Sequence, residues 1–305
     1  MKKLLKRIKA KLHKEIWPLW KIPLQFHSLW SDRSYLEYLY RHKMKKKISL
    51  NRDNKDLLLY TEKIQWLKLY DRQPEYTDMA DKYNVRKYVA QTIGEEYLIP
   101  CYGVWDKFED IPFDALPDQF VLKCTHDCGS VMFCKDKTSF NIDKARKHFN
   151  KFLSRNYYWR SRQWTYKNIK PRIIAEKLII DKPGVDLPDY KIYCFDGEPK
   201  IIGVDLNRFS DRKRNVFNTN WESLPLSINF PSLTELIVPK PKHFELLLEL
   251  AKKLSAGKIF VRIDMYVVND NFYFGELTFY PLSGYQKLAP PEWNRTFGDW
   301  MTLPI

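Results

Sequence analysis

Two kinds of apolar periodicity alternate along the chain and predict a mixture of helices and strands. Apolar residues recur at helical spacing in Met1–Trp17 and in five later ranges: Tyr35–Lys47, Asp53–Tyr70, Thr77–Ile93, Asn141–Arg155 and Pro241–Leu254. Short apolar runs bounded by turn residues predict strands over Ile99–Trp105, Phe120–Cys124, Val131–Cys134 and Arg172–Ile180. Because strands and helices do not alternate strictly, we expect an α+β fold.

Two hairpins are predicted in the second half of the chain. Tyr190–Phe195 and Pro199–Asp205 flank the pair Asp196–Gly197, which favours the positive φ angles of a tight turn. A second hairpin is predicted from Phe260–Val268 and Phe272–Phe279, which flank the polar residues 269–271.

Polar residues inside the last hairpin are the sharpest chemical signal. Asp264 and Glu276 each interrupt an apolar strand. Arg262 is two residues from Asp264, and Thr278 is two residues from Glu276, so each strand's polar pair lies on one face. Two carboxylates on neighbouring strands can bind Mg²⁺, and the arginine could neutralise a phosphate. The alternative is a cross-strand arginine–carboxylate pair on an exposed sheet face. The apolar neighbours favour the metal site.

A second polar group follows the predicted strand Phe120–Cys124. Lys123 lies just before a polar loop in which Gly129 and Ser130 would let backbone N–H groups approach a phosphate. The loop is not a P-loop, because neither G-x-x-x-x-G-K-[ST] nor G-x-G-x-x-G occurs in the chain. The nearby Cys124, His126, Cys128 and Cys134 lack the spacing of a zinc site, so we interpret the cysteines as core thiols.

A third polar group lies on two further strands. Glu176 interrupts the apolar strand Arg172–Ile180, where a carboxylate requires a partner. Asp189 and Lys191 share one face of the next strand.

Taken in order, these groups resemble the ATP-grasp superfamily over residues 77–291. The local sequence is most similar to the branch found in surface-polysaccharide gene clusters, including those of teichuronopeptide synthesis. Five stretches carry the resemblance: Ala80–Arg86, Leu116–Lys123, Asn168–Glu176, Asp189–Lys191 and Gly275–Pro281. The resemblance implies an ATP-grasp fold of two α+β subdomains that grip ATP. Together with the basic charge of the N-terminus, it predicts four regions: a basic helical segment (1–47), an N-terminal helical region (48–118), a lid subdomain (119–180) and a catalytic subdomain (181–305).

The resemblance also implies a role for each matching residue. ATP phosphates would be held by Lys82, Lys123, His126, Gly129 and Ser130. The adenine would be read by Glu176, Lys177 and Leu178, and the ribose by Asp189. The metal would be bound by Asp264, Glu276 and Thr278, with Arg262 and Lys191 as catalytic residues. Thr278 stands where the superfamily usually has Asn, and a hydroxyl is a weaker Mg²⁺ ligand than an amide oxygen.

The implied reaction is ATP-dependent amide formation between a carboxylate and an amine through an acylphosphate. The expected cofactors are ATP and Mg²⁺. The expected substrates are a glycan or lipid-linked glycan that carries a uronic acid or amino-acid substituent, and an amino acid or other amine. Candidate substrate residues are Arg208, Arg212, Arg214 and Tyr285. The aromatic group Tyr157, Tyr158, Trp159 and Trp164 could stack on sugar rings, although packing is the more usual role.

The charge of the chain is concentrated at its N-terminus. Residues 1–47 hold 14 Lys and Arg against three acidic residues, whereas the remaining 258 residues hold 38 basic and 34 acidic residues. We therefore expect no nucleic-acid partner, since the excess is local. A basic amphipathic helix within residues 1–20 could instead bind an anionic membrane surface, or pack on the body of the protein.

The expected location is the cytoplasm, with peripheral attachment to the inner face of the cytoplasmic membrane. The sequence has no apolar run long enough to span a bilayer and no secretory signal. Its five cysteines show no disulfide framework.

Two other classes of protein remain open from the sequence. A glycosyltransferase of polysaccharide biosynthesis would often carry Asp-x-Asp, which does not occur here. A non-catalytic protein bound to a membrane surface would fit the N-terminal charge but would not require Asp264 and Glu276 in apolar strands.

Overall fold

A computed structural model describes residues 30–54, 57–179, 187–206, 211–232 and 238–304 of the chain. The predicted helix Met1–Trp17 and the candidate Arg208 lie outside these residues. No helix in the described ranges combines the length and apolar character needed to cross a membrane.

Eight α-helices occur in the described part of the chain. They are α1 (Asp32–Met44), α2 (Tyr60–Tyr70), α3 (Glu75–Ala80), α4 (Val85–Thr92), α5 (Ile142–Leu153), α6 (Tyr158–Ser161), α7 (Phe244–Ser255) and α8 (Glu292–Asp299). Short 3-10 turns lie at Glu95–Tyr97, Phe108–Asp110, Phe113–Ala115, Lys137–Ser139, Trp164–Tyr166 and Pro281–Gly284.

The strands form two main antiparallel sheets. The four-stranded sheet has the order β1-β4-β2-β3, from β1 (Cys101–Trp105), β2 (Phe120–Cys124), β3 (Met132–Cys134) and β4 (Ile173–Lys177). The five-stranded sheet has the order β10-β9-β5-β6-β7, from β5 (Asp189–Phe195), β6 (Glu198–Leu206), β7 (Lys213–Asn218), β9 (Phe260–Val268) and β10 (Asn271–Thr278). A two-residue pair joins β8 (Ser227–Ile228) to β11 (Leu288–Ala289). Strand β1 belongs to the smaller sheet although it precedes residue 119.

Each sheet has its own apolar core. The larger core joins the five-stranded sheet to α2, α7 and α8. Cys194 of β5 reaches the Ala251 carbonyl of α7, with 4.0 Å between Sγ and O. Because side chains alternate along a strand, Asp189 and Lys191 point away from α7. A smaller core, which includes Phe120 and Phe149, lies between the four-stranded sheet and α5.

Local polar contacts set two helix boundaries that the apolar pattern predicted wrongly. The predicted helix Thr77–Ile93 is two helices, because Asp81 Oδ1 accepts hydrogen bonds from the backbone N–H groups of Tyr83 and Asn84 (2.7 and 3.0 Å). The predicted helix Asp53–Tyr70 begins only at Tyr60. There Glu62 Oε2 accepts from the N–H groups that precede the helix, those of Leu58 and Leu59.

Residues with positive φ angles form the turns of both predicted hairpins, as expected for Asp196–Gly197. Asp196 and Gly197 have φ angles of 48° and 79°, and Asn269 and Asp270 have φ angles of 49° and 62°. Strand β10 contains a bulge at Gly275, where an added Cβ would lie only 3.0 Å from the Asp264 carbonyl oxygen. The bulge brings Glu276 into register with Asp264.

Candidate active site

The polar residues of β9 and β10 form one connected group. Arg262 donates from Nε to Asp264 Oδ1 (2.6 Å) and from Nη2 to Asp264 Oδ2 (2.7 Å). The same Nη2 reaches Glu276 Oε1 and Thr278 Oγ1, each at 3.1 Å. The Thr278 hydroxyl donates to Glu276 Oε1 at 2.9 Å. The four side chains therefore share one face. Parity predicts this within each strand, and the bulge at Gly275 brings the two pairs together.

Strand β5 adds Lys191 to this group, because Lys191 is directly opposite Asp264 in the antiparallel pairing of β5 and β9. Its Nζ donates to Asp264 Oδ2 at 2.5 Å and to Asp189 Oδ2 at 2.7 Å. Lys191, Asp189 and Asp264 are all buried. Burial alone would raise the pKa of Asp264, but Arg262 and Lys191 outweigh it and lower that pKa below its usual value.

Asp205 at the end of β6 extends the group and was not singled out from the sequence. It is completely buried, accepts from Arg214 (2.5 Å from Nε, 2.9 Å from Nη2) and from Arg212, and lies 3.9 Å from Lys191 Nζ. The sequence does contain a signal for this residue, because an aspartate at the end of an apolar strand requires a partner, as Glu176 does in β4.

Glu176 has the partners that its burial requires. Lys123 Nζ lies 2.6 Å from Glu176 Oε2, and Arg86 Nη1 lies 3.8 Å from Oε1. Arg86 also donates to the Ile99 carbonyl, which fixes α4 beside the sheet. The predicted phosphate-binding lysine and the predicted adenine-binding glutamate thus face each other. Lys177 is exposed and Leu178 half-buried after β4, where Lys177 N–H donates to the Pro100 carbonyl at 2.9 Å.

The loop after β2 is held by side chains within it. Asp127 Oδ1 accepts from the Ser130 hydroxyl at 2.5 Å, and Ser130 Oγ accepts from the Cys124 N–H at 2.8 Å. Gly129 has a φ of 99°, which L side chains rarely adopt. Lys82 donates to the Asp127 carbonyl.

The other side chains of this loop differ in exposure. Cys128 is exposed. His126 is buried, and its Nε2 lies 3.2 Å from the Phe152 carbonyl of α5. The cysteines are free thiols, and the described residues contain no cluster of three or more His, Cys, Asp or Glu that could hold a metal.

The candidate substrate residues have different surroundings. Arg214 is buried, and its Nη1 lies 3.2 Å from Tyr193 Oη in addition to its bonds with Asp205. Arg212 is part-exposed and lies over the Phe230 ring at 4.4 Å. Tyr285 has its ring centre 6.5 Å from that of Tyr40 of α1 and 5.1 Å from Lys68 Nζ of α2.

The sequence matches the family described as TupA-like ATPgrasp over residues 62–302. This match covers more than half of the chain, and the chain belongs to that family. The predicted superfamily and its α+β fold are thereby confirmed, and the predicted class of ATP-dependent ligases and the predicted ATP cofactor agree with the family. No curated protein matches the sequence significantly.

Solved structures with a similar fold include three from this superfamily. D-alanine–D-alanine ligase from Bacillus anthracis in complex with ATP is 18% identical with a TM-score of 0.38, and the alignment covers 66% of this chain and 54% of that one. The ATP-grasp ligase PsnB with a precursor variant, Mg and ADP is 10% identical with a TM-score of 0.39, covering 72% and 57%. D-alanine–D-alanine ligase from Helicobacter pylori is 15% identical with a TM-score of 0.40, covering 80% and 69%. The chain thus spans little more than half the length of the first two.

Proposed function

We propose that the chain is an ATP-dependent carboxylate–amine ligase that uses ATP and Mg²⁺ and modifies a bacterial surface polysaccharide. The observation that carries this proposal is the group formed by Lys191, Arg262, Asp264 and Glu276. It brings two carboxylates and two cations from three neighbouring strands to one face.

The oxygen donors fit Mg²⁺, which takes few protein ligands and completes its coordination with phosphates and water. Asp264 and Glu276 would hold the ion, and 41% of the Glu276 side chain is exposed to receive it. When bound, Mg²⁺ supplies positive charge that neutralises the triphosphate. Thr278 offers only a neutral hydroxyl, which is a weaker Mg²⁺ ligand than a carboxylate, so the two carboxylates carry the metal assignment.

The remaining residues would position the nucleotide and stabilise charge. Lys82, Lys123 and the backbone of residues 126–130 would hold the phosphates. A substrate carboxylate oxygen would attack the γ-phosphorus, the bond to the β-phosphate oxygen would break, and ADP would leave. Arg262 and Lys191 would stabilise the charge that develops on the transferring group. An amine would then attack the acyl carbon, release phosphate and lose a proton to solvent, which forms the amide.

The acyl donor we propose is a uronic acid or an acidic amino-acid substituent of a capsular or surface polysaccharide. The resemblance to the teichuronopeptide branch and the TupA-like family support it. Reaction on a lipid-linked glycan would take place in the cytoplasm, beside the inner face of the membrane.

Turnover assays test the ligase activity. We expect ATP to be converted to ADP and phosphate only when Mg²⁺, a uronic-acid glycan and an amine are present together, because the acylphosphate forms only with an acid and is consumed by an amine. Coupled detection of ADP and phosphate with single omissions measures this. Release of a nucleoside diphosphate from a sugar nucleotide, without ATP consumption, would assign glycosyl transfer instead.

A membrane-binding role for the basic N-terminal segment is a separate part of the proposal. Deleting Met1–Lys14 removes seven Lys and Arg with the apolar residues between them, so we expect binding to anionic liposomes to fall about tenfold or more. Cosedimentation with phosphatidylglycerol vesicles measures this binding. ATP affinity of the deletion variant serves as the control for folding. Unchanged vesicle binding would eliminate the segment as a membrane anchor.

A further inference from the structure

The aromatic segment between α6 and β4 contains rings with two different environments. Tyr158 is buried and donates to Asp32, and Trp159 packs against the Arg162 guanidinium with 4.8 Å between its ring centre and Cζ. Trp164 packs against the larger apolar core. Packing therefore explains these three side chains.

Tyr157 and Tyr166 form a separate pair that neither core absorbs. Their ring centres are 5.1 Å apart at an interplanar angle of 67°, and both residues are half-buried. The Asn156 amide donates to the Lys167 carbonyl at 2.9 Å, which closes the segment that carries both rings. The two tyrosines are thus held as an edge-to-face pair with part of their surface free.

A glutamine links the segment that carries the pair to the polypeptide that follows β10. Gln163 Nε2 donates to Ser283 Oγ at 2.9 Å and to Ser161 Oγ at 3.0 Å, which ties the segment to the turn that follows β10.

The guanidinium of Arg160 lies beside one of the two rings. Arg160 is exposed, its Cζ lies 5.9 Å from the Tyr157 ring centre, and it has no carboxylate partner among the described residues. Aromatic faces bind the C–H surface of a pyranose, and a free guanidinium pairs with a carboxylate. A free amino acid would instead require groups that pair with both of its charges.

We propose that Tyr157, Tyr166 and Arg160 form a subsite for a carboxylated pyranose of an acidic glycan, next to the residue whose carboxylate reacts. This proposal rests on the proposed ligase function and specifies its substrate class. Gln163 is a positioning residue here, because it holds the segment against the turn after β10.

Binding of digalacturonate to the full chain, with the ATP analogue AMP-PNP and Mg²⁺ present, tests the subsite by isothermal titration calorimetry. We expect Tyr166→Ala and Arg160→Ala each to weaken digalacturonate binding by about tenfold, and Tyr166→Phe to retain it. The matched controls Tyr102→Ala, which removes an exposed tyrosine of β1, and Arg155→Ala should leave binding unchanged. Equal AMP-PNP affinity in every variant would show that the variants fold.

Other outcomes would overturn either the subsite or the ligase proposal. The subsite would be overturned, and the ligase proposal left intact, if the chain binds AMP-PNP but not digalacturonate. The same conclusion follows if Tyr166→Ala and Arg160→Ala both bind digalacturonate as tightly as the wild type. Binding of a γ-glutamyl dipeptide through the same residues, in place of the sugar, would overturn the carbohydrate assignment. Failure of AMP-PNP to bind the wild-type chain would instead contradict the ligase proposal.

Discussion

Replacing Glu276 by Gln should lower the rate of ATP-dependent ligation by about 10²–10³-fold with little loss of stability. The substitution keeps the shape of the side chain but removes one of the two carboxylates that would bind Mg²⁺. With 41% of the side chain exposed, its pair with Arg262 at 3.1 Å contributes at most about 1 kcal/mol to folding. Rates of ADP release at saturating Mg–ATP, measured beside thermal unfolding, separate the two effects.

Glu249→Gln is the matched control, since Glu249 is an exposed carboxylate of α7 paired with Lys253. Its rate should equal that of the wild type. Full activity of Glu276→Gln would refute the metal assignment, and unfolding of that variant would contradict the small energetic role given to the pair.

Replacing Asp205 by Asn, in contrast to Glu276→Gln, should cause a large loss of folding stability. Asp205 is completely buried and neutralises Arg214, which is itself buried. Removing the charge leaves an uncompensated cation inside the protein, which typically costs about 3–5 kcal/mol. Denaturant unfolding measures this, and Asp211→Asn is the control, because Asp211 pairs with Lys213 at 2.9 Å but its side chain is 81% exposed. Equal stability of the two variants would contradict the assignment of Asp205 as the residue that neutralises the buried Arg214.

The same carboxylate makes stability depend on pH in the acid range. Burial would raise the pKa of Asp205, but Arg214, Lys191 and Arg212 together lower it from 3.8 to about 2. A pKa that is lower in the folded state gives stability that is present above about pH 4 and is lost as the pH falls toward 2. This contribution is about 2 kcal/mol. The stability difference between wild type and Asp205→Asn should therefore shrink over this interval.

Strands with continuous apolar runs were predictable from the sequence. Phe120–Cys124 and Phe260–Val268 have the predicted bounds, because burial on a sheet requires mostly apolar residues there. The parity of Arg262, Asp264, Glu276 and Thr278 placed each polar pair on one face. Family membership confirms the fold, whereas the role of each site residue stays a prediction.

Features that depend on tertiary partners were not predictable. The sequence of strand β7 (Lys213–Asn218) is largely polar, so the apolar pattern does not predict a strand there. Arg214 can be buried in it because Asp205 of the adjacent strand pairs with it. Helix α8 (Glu292–Asp299) is short and was not predicted. Lys191 joins Asp264 only because β5 pairs with β9 across 73 residues of sequence. The sequence could show that each of these polar residues needed a partner, but not which partner it would find.

The mass of the product formed from ATP, a uronic-acid glycan and an amine tests the central claim most directly. With ¹⁸O in the glycan carboxylate, we predict a product smaller than the sum of acid and amine by one water molecule. We also predict ¹⁸O in the released phosphate, because the carboxylate oxygen attacks phosphorus. A conjugate formed without ¹⁸O transfer to phosphate, or a glycosidic product formed without ATP, would contradict carboxylate activation at this site.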